Sequence, residues 1–416
     1  MQPWRVERSS TSSGAHVTLT RRKLALLLGA VAYLAAWAFG SRPLYPVALG
    51  VLLAVLLSWA WIRLATGPAT LRRIAGRGDE TEGSDVKIEL LLELESRVPP
   101  PSVVLVERIG RLGERETPLE RTSRGFEGRY TLERVPRGCY SFAEAEVVLG
   151  DPFGLERTVL PVRGGGAVLV YPRLVEVERV FSEAGAHAQD GRRLLLRRPS
   201  GFDFHSVREH EEGESLRMVH WRTTARRGQL MVKELEDAPR DEVAVVLDGD
   251  AQAVVGESFD VQVRAAGSIL RAHVRHSRRC VLVVNSAAGE TRQVHSEEGD
   301  WRLALELLAA VEPTGTRPVW TLLEEEAGPA GRALEIALVT ARLSPALVDR
   351  LVQRALGRRG VSLVYVDASS FNGVPQKAEP SLLRLQAVGI PIAVCRRDDD
   401  LAQRLSAPAL AGRTSA

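Results

Sequence analysis

Apolar and polar positions alternate with different periods along this chain, and the changes of period divide it. Leu24–Gly40 and Val47–Ile62 are uninterrupted apolar runs of 17 and 16 residues without a charged side chain. As helices each spans about 25 Å at 1.5 Å per residue, close to the thickness of a hydrocarbon core. From Asp85 the pattern becomes short runs of period two, as at Val86, Ile88, Leu90, Leu92 and Leu94, broken by Pro, Gly and charged clusters. That predicts an all-β sandwich over residues 84–175. From Asp241 compact apolar runs (EVAVVLDGD, CVLVVNS, ALEIALVTA, VSLVYVDAS, IPIAVCR) alternate with segments of helical period, and TRQVHS reads as an edge strand. Strands alternating with helices predict a doubly wound, mostly parallel α/β sheet over 241–406, with its site at the carboxyl ends of the strands.

The flanks of the two apolar runs orient them. Arg21, Arg22 and Lys23 precede the first and Arg63, Arg72, Arg73 and Arg77 follow the second, with Arg42 alone between. The excess of positive charge outside the hairpin predicts two spans of a plasma membrane, residues 23–66, with a cytoplasmic tail 1–22, both termini and the remaining chain in the cytoplasm. Polar, Gly- and Arg-rich Gly67–Ser84 reads as a linker. Three scattered cysteines among 416 residues form neither a disulfide framework nor a zinc site, in keeping with a reducing compartment.

Charge adds little. Lys plus Arg number 55 against 52 acids, interspersed, and only Lys23, Lys87, Lys233 and Lys377 are lysines. No basic tract marks a nucleic-acid surface. The loop after the first α/β strand has no glycine-rich phosphate cradle, and no G-x-S-x-G elbow is present.

The densest polar chemistry is at 200–240. His205, His210 and His220 stand five and ten residues apart, on no common helix face, which is a poor metal pattern. His220 with Glu209 or Glu214 could form an acid–base pair, with Ser206, Thr223 and Thr224 as candidate nucleophiles that no surrounding motif supports. A structural or partner-contacting segment is favoured, its arginines and glutamates paired and Phe202, Phe204, Val219 and Trp221 packed.

These residues carry a resemblance. Arg208-Glu209, Gly213-Glu214, Arg217 through His220-Trp221-Arg222 to Arg226, and Leu230-Met231-Val232-Lys233-Glu234 resemble the signature of the bacterial "domain of unknown function 58" family. Upstream, Arg137-Gly138-Cys139-Tyr140, Asp151-Pro152-Phe153-Gly154-Leu155 and Val170-Tyr171-Pro172 resemble its R-G-x-Y, D-P-F-G-L and V-Y-P motifs. His210, Glu214 and Thr224 stand where an aromatic, an Asp and a Ser are usual. The resemblance implies a membrane hairpin and a von Willebrand factor A-like domain. It also implies an adaptor or scaffold, not an enzyme, working with a MoxR-type AAA+ ATPase and with other membrane proteins. On this reading Arg208, Glu209, Gly213, Glu214, Arg217, His220, Trp221, Arg222 and Arg226 are the binding residues. A von Willebrand A domain holds Mg²⁺ on D-x-S-x-S plus a later Thr and Asp. Here Asp248 and Asp250 remain as candidate ligands, Gln252 replaces the second Ser, and Thr340-Ala341-Arg342 lacks the second Asp. The alternatives are an enzyme built on His220 with Glu209 or Glu214, and a component of membrane transport or envelope synthesis.

Overall fold

The computed structural model describes residues 21–76, 78–142, 145–162, 165–182, 204–209, 219–235, 242–325, 327–357, 359–374 and 379–406; of 204–209, 232–235 and 242 it gives the backbone. The chain forms two compact units. One comprises residues up to 78, with 85–133 and 140–168; the other comprises 79–84, 134–139 and everything from 169.

The first unit opens with two helices, α1 (Arg21–Ala38) and α2 (Leu44–Ala65). They pack antiparallel: a Cβ on Gly29 would lie 2.9 Å from Leu52, and Tyr33 meets Tyr45 edge-on at 5.6 Å. Among the described residues one helix, α2, is long and apolar enough to cross a membrane. The expected first span falls short of that standard, because α1 carries Arg21, Arg22 and Lys23 in its first turn.

Beyond the helices lie β1 (Ala69–Ala75), β2 (Val86–Leu94), β3 (Ser102–Arg108), β4 (Glu114–Thr122), β5 (Gly125–Leu132), β7 (Ala145–Gly150) and β8 (Arg157–Val162). They form one antiparallel sheet in the order β1-β2-β5-β4-β3-β7-β8. The expected two-sheet sandwich is therefore a single curled sheet. The reason is β4, whose residues Glu114–Leu119 pair with β3 while Glu120–Thr122 pair with β5. Curling brings together strands that are not neighbours. Arg73 of β1 pairs with Glu107 of β3 at 2.7 Å, and the Tyr130 hydroxyl of β5 donates to the same carboxylate at 2.8 Å. This also explains β1, which the sequence presents as linker. Its Leu71 and Arg73 point inward, and an inward arginine hides the period-two signal. Two short strands, β6 (Gly138–Ser141) and β9 (Ala167–Val170), pair with each other.

The second unit holds a hairpin of β10 (Phe204–Glu209) and β11 (Met231–Leu235), with α3 (Trp221–Arg227) between them in sequence. Its sheet comprises β12 (Glu242–Asp248), β13 (Arg279–Asn285), β14 (Thr291–Val294), β15 (Glu335–Thr340), β16 (Gly360–Val366) and β17 (Ile392–Cys395). The order is β14-β13-β12-β15-β16-β17, parallel except for the edge strand β14. Around it lie α4 (Ser258–Arg275), α5 (Trp301–Ala310), α6 (Trp320–Glu324), α7 (Pro329–Arg332), α8 (Pro345–Leu356), α9 (Pro380–Ala387) and α10 (Leu401–Leu405). Val243, Val245 and Leu247 of β12 pack in the layer with α4 and α5; Ala244 and Val246 pack in the layer with α7 and α8. Both faces are covered, so the strand reads as a continuous apolar run.

An arginine from the segment 134–139 is part of this second core. Arg137 has no exposed surface. Its guanidinium donates to the carbonyls of Leu308 (3.0 Å), Ala309 (3.3 Å) and Val311 (2.9 Å), which close α5. It also pairs with Asp260 at 2.8 Å and lies over the Phe259 ring at 5.1 Å. One side chain thereby satisfies the C-terminal carbonyls of one helix and an acid in the first turn of another.

Candidate functional site

The α/β sheet reverses its winding direction between β12 and β15, and ligand crevices in such sheets open at that switch point, beyond the carboxyl ends of the strands. Four adjacent strands end there in polar residues: Asn285 on β13, Asp248 on β12, Thr340 on β15, and Asp367 immediately after β16. All four are buried.

Asp248 is held on both oxygens by uncharged donors. The Asn285 amide donates to Oδ1 at 2.8 Å and the Thr340 hydroxyl to Oδ2 at 2.7 Å. Asn285 also donates to the Arg317 carbonyl at 2.9 Å, which fixes its amide. Burial pushes the Asp248 carboxyl above the usual carboxylate range; the two hydrogen bonds oppose the shift and do not overcome it. The loop leaving β12 is braced by backbone. Gly249 N–H donates to the Asn285 carbonyl at 3.1 Å, and Gly315 N–H donates to the Gly249 carbonyl at 2.8 Å. A Cβ on Gly249 would lie 2.6 Å from that Asn285 oxygen, so backbone approaches backbone more closely than any side chain permits.

Above this row sits a second, more open layer. Asp250 accepts from the Gln252 N–H at 2.9 Å and faces the Arg342 guanidinium at 3.3 Å. Arg342 also reaches the Gln252 side-chain oxygen at 3.4 Å, and its side chain is 56% exposed. Asp367 has a parallel arrangement, with the Ser369 hydroxyl on one oxygen at 2.5 Å and Arg396 3.9 Å from the other.

This donor set is a poor match for a divalent cation. Mg²⁺ demands near-octahedral oxygen coordination from carboxylates, hydroxyls and water. Here the Arg342 guanidinium already neutralises Asp250, and Ala341, in the sequence place where an acid would complete such a site, offers no ligand. Both Asp248 oxygens are taken by neutral donors, and among the described residues no group of three His, Cys, Asp or Glu converges. The geometry fits an internal cation, Arg342, better than a bound metal.

Of the other expected binding residues, the described ones lie on β10 and α3. Arg208 and Glu209 lie on β10, in register with Val232 and Met231. Gly213, Glu214, Arg217 and His210 fall outside the described residues. His220 caps α3: its Nδ1 accepts from the Thr223 N–H at 3.3 Å, and its backbone N–H donates to the Met231 carbonyl at 2.8 Å. Thr224 completes the joint by accepting from the Met231 N–H at 3.0 Å. Val219 and Met231 are buried, as a structural brace requires. Trp221 corrects the expected packing. It is the first residue of the capped helix and is 65% exposed, with Arg222 and Arg226 exposed on the same short helix. Asn285 was missed from sequence, although a polar residue closing the run CVLVV is the visible signal for it.

The family model described as "Protein of unknown function DUF58" matches residues 206–367, from the β10 strand through the strand-end row. The chain carries a DUF58 domain. An uncharacterized protein of Bacillus subtilis (strain 168), YeaD, is 27% identical over 225 residues, 52% of this chain and 53% of that protein. The chain thus spans about half the length of this relative. Likeness to solved structures is slight. The PilB minor pilin from Streptococcus sanguinis aligns over 83% of this chain and 92% of its own at 7% identity and a TM-score of 0.28. Cwp6 from Clostridium difficile aligns over 78% and 53% at 10% identity and a TM-score of 0.17. Neither value carries a fold assignment for this chain.

Proposed function

We propose that this protein is a membrane-anchored adaptor whose DUF58 domain captures a protein partner on the strand-end face, at the Asp250–Arg342 pair. One observation carries the reading. The charged groups that reach solvent at the switch point are already paired with each other, and the hydroxyl beneath them is inaccessible. Thr340, the one hydroxyl on Asp248, is fully buried, so no substrate reaches it as a nucleophile. A charge-paired rim over a buried, fixed acid suits recognition by exchange of ion pairs with a partner. The winding of the sheet with its antiparallel edge strand supports the von Willebrand A-like assignment, and the family resemblance supports a MoxR-type AAA+ ATPase as the partner. The α2 helix, backed by α1 and the flanking arginines, supports a two-span anchor with both termini and the soluble units cytoplasmic.

The enzyme reading built on His220 is less favoured, because Nδ1 of that imidazole is committed to capping α3. The test is affinity capture of the full-length protein from its native membrane, with and without Mg²⁺-ATP, alongside Arg342→Ala and Asp248→Ala. Recovery of an AAA+ ATPase by the parent chain and its loss from Arg342→Ala is the expected result. Undiminished recovery with both variants places the contact elsewhere, and no ATPase under either condition removes that partner.

A further inference from the structure

The curled sheet of the first unit has two ends, and the strand registers say which turns share one. Ala69 pairs with Leu94, Thr122 with Gly125, Ser102 with Gly150, and Gly150 with Arg157. The segments 95–101, 122–125 and 150–157 therefore lie together at the end where α2 enters β1. The opposite end carries the β3–β4 connection around Glu114.

The first end is bound to both helices at one depth. The turn after β7 reaches α2 through Asp151, whose Oδ2 accepts from the Ser58 hydroxyl at 2.7 Å. It reaches α1 through Glu156, which takes both its bonds from Arg22 at 3.0 Å. The helices cross where Gly29 meets Val51 and Leu52. Arg22 and Ser58 each lie six or seven residues from that crossing, about 10 Å at the helical rise of 1.5 Å per residue. They are level with each other, and both apolar runs lead away from that level. The last turns of α2 continue past it into the unit, where Leu64 accepts from the Arg97 N–H at 3.1 Å. Trp59, 44% exposed and stacked under Arg63 at 5.1 Å, marks the same level with an interfacial aromatic.

At the tip of the 150–157 turn stands Phe153, 54% exposed, its N–H held by Asp151 at 2.8 Å. The exposed charged residues of the three segments are Arg97, Arg124 and Arg157 against Glu95. An exposed aromatic on a fixed turn, at a sheet end that carries net positive charge and level with the start of an apolar helix pair, matches the chemistry of an anionic headgroup layer.

We propose that this end of the sheet is a lipid-contacting surface, with Phe153 seated in the bilayer interface and Arg97, Arg124 and Arg157 facing anionic phosphates. The D-P-F-G-L turn thereby sets the height of the unit over the membrane. The proposal rests on the anchoring reading and adds to it a second contact outside the helices.

The test uses the full chain with Cys139→Ser, carrying an environment-sensitive fluorophore at single engineered cysteines. The protein is reconstituted in phosphatidylcholine–phosphatidylglycerol nanodiscs containing spin-labelled lipid quenchers. Phe153→Cys and Arg124→Cys report the proposed surface, Leu53→Cys the helix, and Glu114→Cys the opposite end. Expected is loss of most emission at 53 and 153, partial loss at 124 with headgroup-labelled lipid, and none at 114. Quenching at 53 with none at 153 and 124 overturns the lipid surface while leaving the anchor. Absence of quenching at 53 as well overturns both.

Discussion

Asp151 and Asp248 make an instructive pair. Each stands at the carboxyl end of a β-strand, each has both oxygens engaged, and each is nearly hidden, at 5% and 4% exposure. Their electrostatics are opposite. Burial pushes both carboxyls up. At Asp151 the Glu156 N–H (2.7 Å), the Ser58 hydroxyl (2.7 Å) and the Phe153 N–H (2.8 Å) more than offset it, and the carboxyl is held below its usual range. At Asp248, between two packed layers, an amide and a hydroxyl do not offset it, and the carboxyl stays raised. The first environment is built to keep a charge in place for the fold. The second holds a charge at a cost to the fold, an arrangement that clusters at functional sites.

A third carboxylate sharpens the contrast and gives the largest expected effect. Asp260 faces a full opposite charge, Arg137, where the other two face dipoles or a hydroxyl. Arg137→Ala strands Asp260 and the α5 carbonyls in a dry core. Breaking such a pair costs about 3–5 kcal/mol. Loss of hydrogen-exchange protection across α4 and α5 measures it; a change confined to residues 134–139 would show the staple to be local.

Asp151→Asn comes next. The replacement presents an NH₂ to donors that need an acceptor, and we expect a loss of about 1–3 kcal/mol. It is read as faster exchange in β7 and β8. The pH sign is fixed by the lowered carboxyl. Its stabilisation is present above the ordinary carboxylate pKa of ~3.9 and disappears as pH falls through the folded value, so parent and variant converge in acid. A difference that persists unchanged at low pH would mean that shape, not charge, makes the turn.

The sequence made some of this visible and hid the rest for physical reasons. The α/β strands were legible because strands covered on both faces are uniformly apolar, as in EVAVVL and CVLVV. β1 was illegible because its inward Arg73 is stabilised by Glu107, a partner 34 residues away that only the curl of the sheet supplies. The same holds for the staple: Arg137 was visible as a motif letter, but its partners lie more than 120 positions further on. At the strand ends, Asp248, Asp250 and Thr340 were found by loop position, whereas Asn285 enters through strand register. The lack of an acid is visible at Ala341, whereas the pairing of its neighbour Arg342 with Asp250, 92 positions away, appears only in the fold.

The smallest expected effect is the one that most directly tests the opening contrast. Asp248→Asn can keep both hydrogen bonds. Its amide oxygen accepts from Asn285, and its NH₂ donates to Thr340 while that hydroxyl turns to the Arg342 carbonyl, 3.0 Å away. What the variant loses is the charge. Because the folded carboxyl is raised, the native state binds the extra proton between ~3.9 and its own higher pKa, and stability falls as pH rises through that window. The variant lacks that fall. It is therefore expected to match or exceed the parent near neutral pH and to lose the advantage below the ordinary carboxylate pKa of ~3.9. His273, pushed down to about 4 mainly by burial, titrates equally in both chains and cancels in the difference. Thermal unfolding of parent and variant across pH 3.5–7.5 is the measurement. Marked destabilisation by Asp248→Asn at neutral pH would make Asp248 a structural brace like Asp151, and the strand-end face would lose its claim as the binding surface.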